Sequence, residues 1–285
     1  MASIMAKAGE TPLLRFGVVA DPQYADAPAT MNRYYANSLG KLREAVEFFN
    51  GHDDLAFVAT LGDTIDHGWE NFDPILSVYD GLRARRVFVL GNHDFLVAPE
   101  KVTAVPARLG LRRSYYDFAA GGYRFVVVDG AEVSTFSSPP GSPVRRQGED
   151  RLAAMSARGE SNAMPWNGGM SEEQLAWLEQ IIAKAEEQGE RVLLLGHFPV
   201  HPFSMHAMWD SARFVELVTS SPAVTAYFNG HDHAGNYGVA GGKHFVNFRG
   251  MIETESETAY SLVELYPDRI EIIGKGVEPS RVLAL

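Results

Sequence analysis

The chain contains no cysteine, which excludes disulfides and thiolate chemistry and is compatible with a reducing compartment. It also lacks any run of the ~20 apolar residues needed to span a bilayer. The first dozen residues hold one lysine and no sustained apolar stretch, so a signal peptide is not expected and a cytoplasmic location is. Positive charge is scarce: 25 Lys and Arg stand against 36 Asp and Glu, a net charge of −11. A protein that grips nucleic acid through its phosphates normally shows a basic face, and no Lys/Arg cluster suggests one. The densest basic stretch, Arg83 to Arg86, falls where a helix hands over to a strand and reads as a solvated helix end. Neither nucleic acid nor membrane is an expected partner, and oligomeric state is not legible. An acidic enzyme can still take a phosphorylated small molecule if bound metal reverses the local field.

What the chain does have is a series of short apolar runs. Strands are predicted at 16–20, 55–60, 87–90, 124–128, 192–195, 224–228, 244–248, 261–265 and 270–273. Most are rich in Val, Phe or Leu, as strands covered on both faces should be. Helical spacing separates several of them. Leu39, Leu42, Val46 and Phe49 recur at three- and four-residue steps. Leu175, Leu178, Ile181 and Ile182 do the same after Ser171, with Gln174 completing an S-x-x-Q capping box. Alternating strands and helices argue for α/β layers. The strand-rich last third suits a second sheet packed face to face on the first. No internal repeat is visible. One domain over residues 1–285 is expected, with an irregular insert or lid at about 131–170, where periodicity is missing.

Five polar clusters directly follow apolar runs. They are Asp21-Pro22-Gln23, Gly62-Asp63-Thr64-Ile65-Asp66, Gly91-Asn92-His93-Asp94, Gly196-His197 and Gly230-His231-Asp232-His233. Taken singly, Asp63 reads as a turn aspartate and His197 as a satisfied core histidine. Their recurrence after separate strands points instead to carboxylate, amide and imidazole ligands for two hard-to-borderline divalent cations sharing one carboxylate. His231 and His233 sit two apart, so in an extended segment both rings point one way. His93 directly follows Asn92 and is free to face substrate, where a protonated imidazole can stabilise charge or protonate a leaving oxygen. Asp66 is placed to hold its other ring nitrogen.

This motif order resembles that of the calcineurin-like metallophosphoesterases: D-x-H, G-D-x-x-D, G-N-H-[DE], [GS]-H and G-H-x-H. Only the first block departs, with Gln23 in place of histidine. Asp21-Pro22-Gln23-Tyr24-Ala25-Asp26 is similar to the D-x-Q-[YF]-A-D of the manganese-dependent ADP-ribose/CDP-alcohol diphosphatases. So are Arg33-Tyr34-Tyr35, Trp166-Asn167-Gly168-Gly169, Gln174-Leu175 with Trp177-Leu178, and Gly250-Met251-Ile252-Glu253-Thr254. The resemblance implies one metal held by Asp21, Gln23, Asp63 and His233, and a second by Asp63, Asn92, His197 and His231. An amide oxygen in place of an imidazole favours manganese at the first site and eases metal loss there; iron or zinc can still be acquired. The expected fold is α/β (α+β), a four-layer αββα sandwich of two mixed β-sheets packed face to face, with helices outside and the dinuclear site at the strand ends.

The expected reaction is hydrolysis of the diphosphate bond in nucleoside diphosphate derivatives such as ADP-ribose or CDP-choline, by in-line attack of a hydroxide shared by two cations. Cyclic-nucleotide or glycerophosphodiester hydrolysis on the same metal core is the alternative, and a non-catalytic scaffold is the remote one. Tyr24, Arg33, Tyr34, Trp166 and His201 are candidate substrate contacts. The stretch 238–244 resembles a phosphate loop, but its spacing is one residue short and no Ser/Thr follows Lys243, so a hairpin turn is expected. His206 and His244 lack a ligand context.

Overall fold

The apolar runs decide the architecture. The computed structural model describes residues 10–285, so most of the N-terminal stretch read for a leader lies outside the described residues. The first half holds β1 (Leu14–Val19), α1 (Ser38–Asn50), β2 (Leu55–Leu61), α2 (Phe72–Tyr79), β3 (Arg85–Val89), α3 (Val105–Arg108), β4 (Tyr116–Ala120) and β5 (Tyr123–Val127). Next come α4 (Pro143–Ala157), α5 (Glu172–Glu187), β6 (Arg191–Leu195), α6 (Ser211–Ser220) and β7 (Val224–Asn229). The chain ends in β8 (Asn236–Ala240), β9 (Lys243–Asn247), β10 (Ala259–Leu265), β11 (Arg269–Gly276) and β12 (Arg281–Ala284). Two six-stranded sheets result, ordered β12-β11-β10-β1-β2-β3 and β4-β5-β6-β7-β9-β8. Both are mixed. β1, β2 and β3 are parallel, as are β5, β6, β7 and β9, while the remaining pairs are antiparallel.

Alternation along the strands separates the layers. Successive side chains point to opposite faces, so Phe125, Val127, Leu193 and Leu195 join Phe16, Phe57 and Phe228 in a core between the sheets. Val126, Val192 and Leu194 instead join Leu42, Phe49, Leu178 and Phe214 of the covering helices. The four-layer expectation therefore holds, and it explains why these strands are mostly apolar on both faces. Phe57 lies 4.8 Å, centroid to centroid, from Phe16 and from Phe125, and 5.1 Å from Phe118. Phe57→Ala is expected to cost roughly 3–5 kcal/mol through lost burial and a residual cavity. Urea unfolding should show a lower midpoint at unchanged slope, and a loss below about 1 kcal/mol would contradict this packing.

Three strands, β4, β8 and β12, were not expected. All are edge strands and none is fully buried, so their sequences carry no continuous apolar run. β8 and β9 form the expected hairpin, turning at Gly241 and Gly242 with φ of 54° and 75°.

The segment 131–170 is not irregular throughout. It contains the 15-residue α4, capped by Ser142 Oγ, which accepts from Arg145 N at 3.2 Å, with Pro143 in the first turn. Only Gly148 and Met155 of α4 are buried, which is why no apolar period marks it. Val133 and Gly169 exchange backbone hydrogen bonds of 2.9 Å and pin its two ends together. The capping box on α5 is also only half formed. Ser171 Oγ accepts from Gln174 N at 3.1 Å, but Gln174 Nε2 goes to Asp129 O and Glu132, and Ser171 N donates to Glu132.

The stretch Arg83 to Arg86 is more than a helix end. With Arg108, Arg112 and Arg113, it borders a groove of about 1020 Å³. Arg83, Arg86 and Arg108 pair there with Asp53, Asp80 and Asp73. No helix among the described residues is long and apolar enough to cross a membrane.

Candidate metal centre

The parallel topology brings the polar clusters to one rim. Asp21 follows β1, Asp63 β2, Asn92 β3, His197 β6 and His231 β7, each beyond the C-terminal end of a parallel strand. Two sets of ligating atoms result, one from Asp63, His197 and His231 and the other from Asp21, Asp63 and His233, all within 4.8 Å in each set. Asp63 belongs to both. Asn92 Oδ1 joins the first at 3.1 Å from His197 Nε2. Gln23 Nε2 joins the second, 2.9 Å from both Asp63 Oδ2 and His233 Nε2.

The backbone bends hard to achieve this. Asp21, Gln23, Asp63 and His231 have φ of 47°, 43°, 51° and 70°, in the left-handed region that side-chain-bearing residues seldom adopt. Such strain persists only where neighbours over-determine it. Here Gln23 N donates to Asp63 O at 2.8 Å, and His231 N lies 3.1 Å from each Asp21 carboxylate oxygen. The buried Asp94 carboxylate accepts from Thr64 N at 2.8 Å and Gly91 N at 2.9 Å, tying two of the turns together. Side chains at Gly91 and Gly230 would collide with the Asp63 and Asp21 carboxylates, which accounts for those two glycines.

Hydrogen bonds at the outer ring nitrogens decide which nitrogen faces inward. His197 Nδ1–H donates to Leu61 O at 2.8 Å, leaving Nε2 for the cluster. His231 Nε2–H donates to Asn167 Oδ1 at 3.0 Å, leaving Nδ1. His233 Nδ1–H donates to Glu253 Oε1 at 2.9 Å, leaving Nε2. Each lone pair is thereby aimed at a set containing Asp63.

Burial raises Asp21 to about 6 and Asp94 to about 7, the latter also through Asp63. Burial would raise Asp63 too, but His197 and His93 hold it well below the carboxylate range. Burial works against a charged His197, yet Asp63 carries it up to about 9. His231 is pushed well down by burial and by His197. Asp21 and Asp63 thus lean on neighbouring histidine charge, a role that divalent cations can take over.

The donor set fits such ions: oxygens and imidazole nitrogens without sulfur suit manganese-type cations. Gln23 Oε1 is buried without a partner. A half-turn of its amide would direct that oxygen between Asp63 and His233, where a hard cation would use it.

His93 stands beside the cluster. Its backbone N donates to Asp63 Oδ1 at 2.8 Å, and its Nδ1 lies 3.2 Å from Asp66 Oδ2. Burial disfavours a charged His93, but Asp63 and Asp66 together raise it above the ordinary imidazole value. Arg33 Nη1 approaches Asp66 Oδ2 at 3.9 Å. Arg33, Trp166, His93 and His206 line a cavity of about 250 Å³ with five of the clustered ligands. A neighbouring cavity of about 540 Å³ shares Arg33, His206, His231 and His233.

Three candidate substrate contacts line neither cavity. Tyr24 is buried in the helix-side core, Tyr34 faces Lys41, whose Nζ is 5.9 Å from its ring centroid, and His201 packs on Phe245 at 5.3 Å. Each is packing. Sequence reading missed Asn167, Glu253 and Asp94 behind the ligands, and His206 on the cavity wall. Asn167 and Glu253 stood in motifs that carried no assigned role, so the motifs were the available signal.

Comparison with known proteins agrees with this geometry. The family model described as calcineurin-like phosphoesterase matches residues 14–235. A manganese-dependent ADP-ribose/CDP-alcohol diphosphatase of Oryza sativa subsp. japonica is 30% identical over 294 residues, covering 92% of this chain and 91% of its own. The Homo sapiens protein of the same name is 26% identical, with 95% and 92% covered. A crystal structure of a dimetal phosphatase from Danio rerio superposes with a TM-score of 0.86 at 26% identity, covering 96% of this chain and 99% of that one. Strand order, converging ligand sets and a match over most of its length together place this chain in the calcineurin-like phosphoesterase family.

Proposed function

We propose that this protein is a manganese-dependent hydrolase that cleaves the diphosphate bond of nucleoside diphosphate derivatives such as ADP-ribose and CDP-alcohols. The observation that carries the reading is Asp63's membership of both ligand sets, the arrangement two cations need if they are to share one carboxylate. Relatives named for this activity, covering nearly the whole chain, support the substrate class. Asp21, Gln23, Asp63 and His233 would hold one ion, and Asp63, Asn92, His197 and His231 the other. When bound, such a pair makes water a competent nucleophile at neutral pH and takes up charge at phosphorus.

The chain's own side chains do the rest. His93, positioned by Asp66, donates from its free Nε2 to a phosphoryl oxygen or the leaving phosphate. The leaving group is a phosphate ester, which needs less protonation than an alkoxide. Arg33 lies where both cavities meet and suits the second phosphate. Trp166 is part-exposed at 38% and offers a face for the base.

Side-by-side assays in manganese on ADP-ribose, CDP-choline, cyclic AMP and bis-p-nitrophenyl phosphate test the reading. ADP-ribose or CDP-choline should be turned over with the highest kcat/KM, releasing nucleoside monophosphate. Faster cleavage of cyclic AMP or bis-p-nitrophenyl phosphate would favour a phosphodiesterase instead. Chelation with EDTA should remove all turnover, and manganese should restore it.

A further inference from the structure

The motif Gly250-Met251-Ile252-Glu253-Thr254 lies against the metal centre, and so far it has entered only through the contact between Glu253 and His233. Ile252 N donates to Asp21 O at 3.0 Å and Met251 N to Ala20 O at 2.9 Å, so the segment runs alongside a ligand-bearing turn. Gly250 sits under the His233 ring, where a Cβ would come within 2.8 Å of Cγ. Glu253 reaches over to accept from His233 Nδ1 and also from Asn32 Nδ2. On its other side the segment is held by one side chain. Lys41 of α1 is 4% exposed and donates to the carbonyls of Met251 at 2.9 Å, Glu253 at 2.7 Å and Thr254 at 2.5 Å. Three carbonyls saturate an ammonium's three donors.

We infer that Glu253, fixed in place by Lys41, is a positioning residue that raises manganese affinity at the Gln23-bearing half of the centre. The inference rests on the two-ion reading and explains how that half retains its metal. The histidines of the other set lean on neutral carbonyls, Leu61 O and Asn167 Oδ1. Of these three histidines, His233 is the one whose outer nitrogen donates to a carboxylate within hydrogen-bond reach; the outer nitrogen of His197 lies 4.0 Å from Asp21 Oδ1. A carboxylate fixes the tautomer and makes Nε2 a stronger donor. That is most needed where the neighbouring ligand is the neutral amide of Gln23. Lys41 adds to the other backbone anchors of Glu253, which bridges Arg33 and donates from N to Gly250 O: the Glu253 carbonyl accepts from Nζ, and Thr254 beside it is strained at a φ of 64°.

A double-mutant cycle on manganese binding, read by electron paramagnetic resonance of free Mn²⁺ with no substrate present, tests this. Glu253→Gln keeps the shape and removes the charge. It should weaken one of the two manganese sites by roughly 10–100-fold and leave the other unchanged. Lys41→Met should weaken the same site, and the double variant should be no weaker than the worse single one. Circular dichroism of the metal-free proteins should be native for Glu253→Gln, which carries the test alone if Lys41→Met does not fold. Two native-like sites in Glu253→Gln would overturn the inference, and multiplying effects in the double variant would overturn the role of Lys41. Native protein that binds fewer than two manganese ions would overturn the two-ion reading first and this inference with it.

Discussion

Asp63→Ala is expected to abolish hydrolysis and to strip the protein of both manganese ions. No other substitution should cost as much, because Asp63 alone belongs to both ligand sets. Its loss removes a carboxylate from each ion at once. It also releases His93, whose backbone N rests on Asp63 Oδ1, and Gln23, whose amide rests on Oδ2. The loss in affinity should exceed the roughly 10–100-fold that changes behind the ligands produce. Metal content by mass spectrometry after gel filtration, alongside ADP-ribose turnover, checks both parts. Asp63→Asn separates charge from shape, since the amide fills the same space without bridging charge. It too should fall below detectable turnover. Full activity in either variant would remove Asp63 from the centre.

His93→Ala is expected to give the opposite pattern, keeping both ions while kcat falls by roughly 10²–10⁴-fold. The imidazole lies on the cavity wall and belongs to neither ligand set, so its removal should leave manganese content unchanged. What disappears is a donor whose charged form Asp63 and Asp66 favour against the effect of burial. Asp66→Asn should lower kcat in the same direction but less, because His93 remains in place on its own backbone contact with Asp63. Loss of metal together with turnover in His93→Ala would move His93 among the ligands. Unchanged kcat would leave phosphoryl charge to the cations and Arg33.

The ligands were legible because each follows an apolar run that ends abruptly in a turn, and Asp63, Asn92 and His197 announce that turn with a glycine. Buried central strands such as β2 and β6 carry the densest apolar sequences, so their ends could be located to within two residues. Residues behind the ligands left no such mark. Glu253 meets a histidine 20 positions away, and Asn167 meets one 64 positions away, both from loops without periodicity. The edge strands β4, β8 and β12 were hidden because half-exposed strands need no apolar continuity. Helix α4 was hidden because only two of its residues, Gly148 and Met155, are buried. Tyr24 and Tyr34 line neither cavity: an aromatic next to a ligand motif serves packing as readily as stacking.

Anomalous scattering from crystals grown with manganese tests the central claim most directly. Two peaks roughly 3.5–4 Å apart are predicted, both touching the Asp63 carboxylate. One should contact Asp21, Gln23 and His233, and the other Asn92, His197 and His231. A single peak, or a pair from which Asp63 stands apart, would contradict the shared-carboxylate centre.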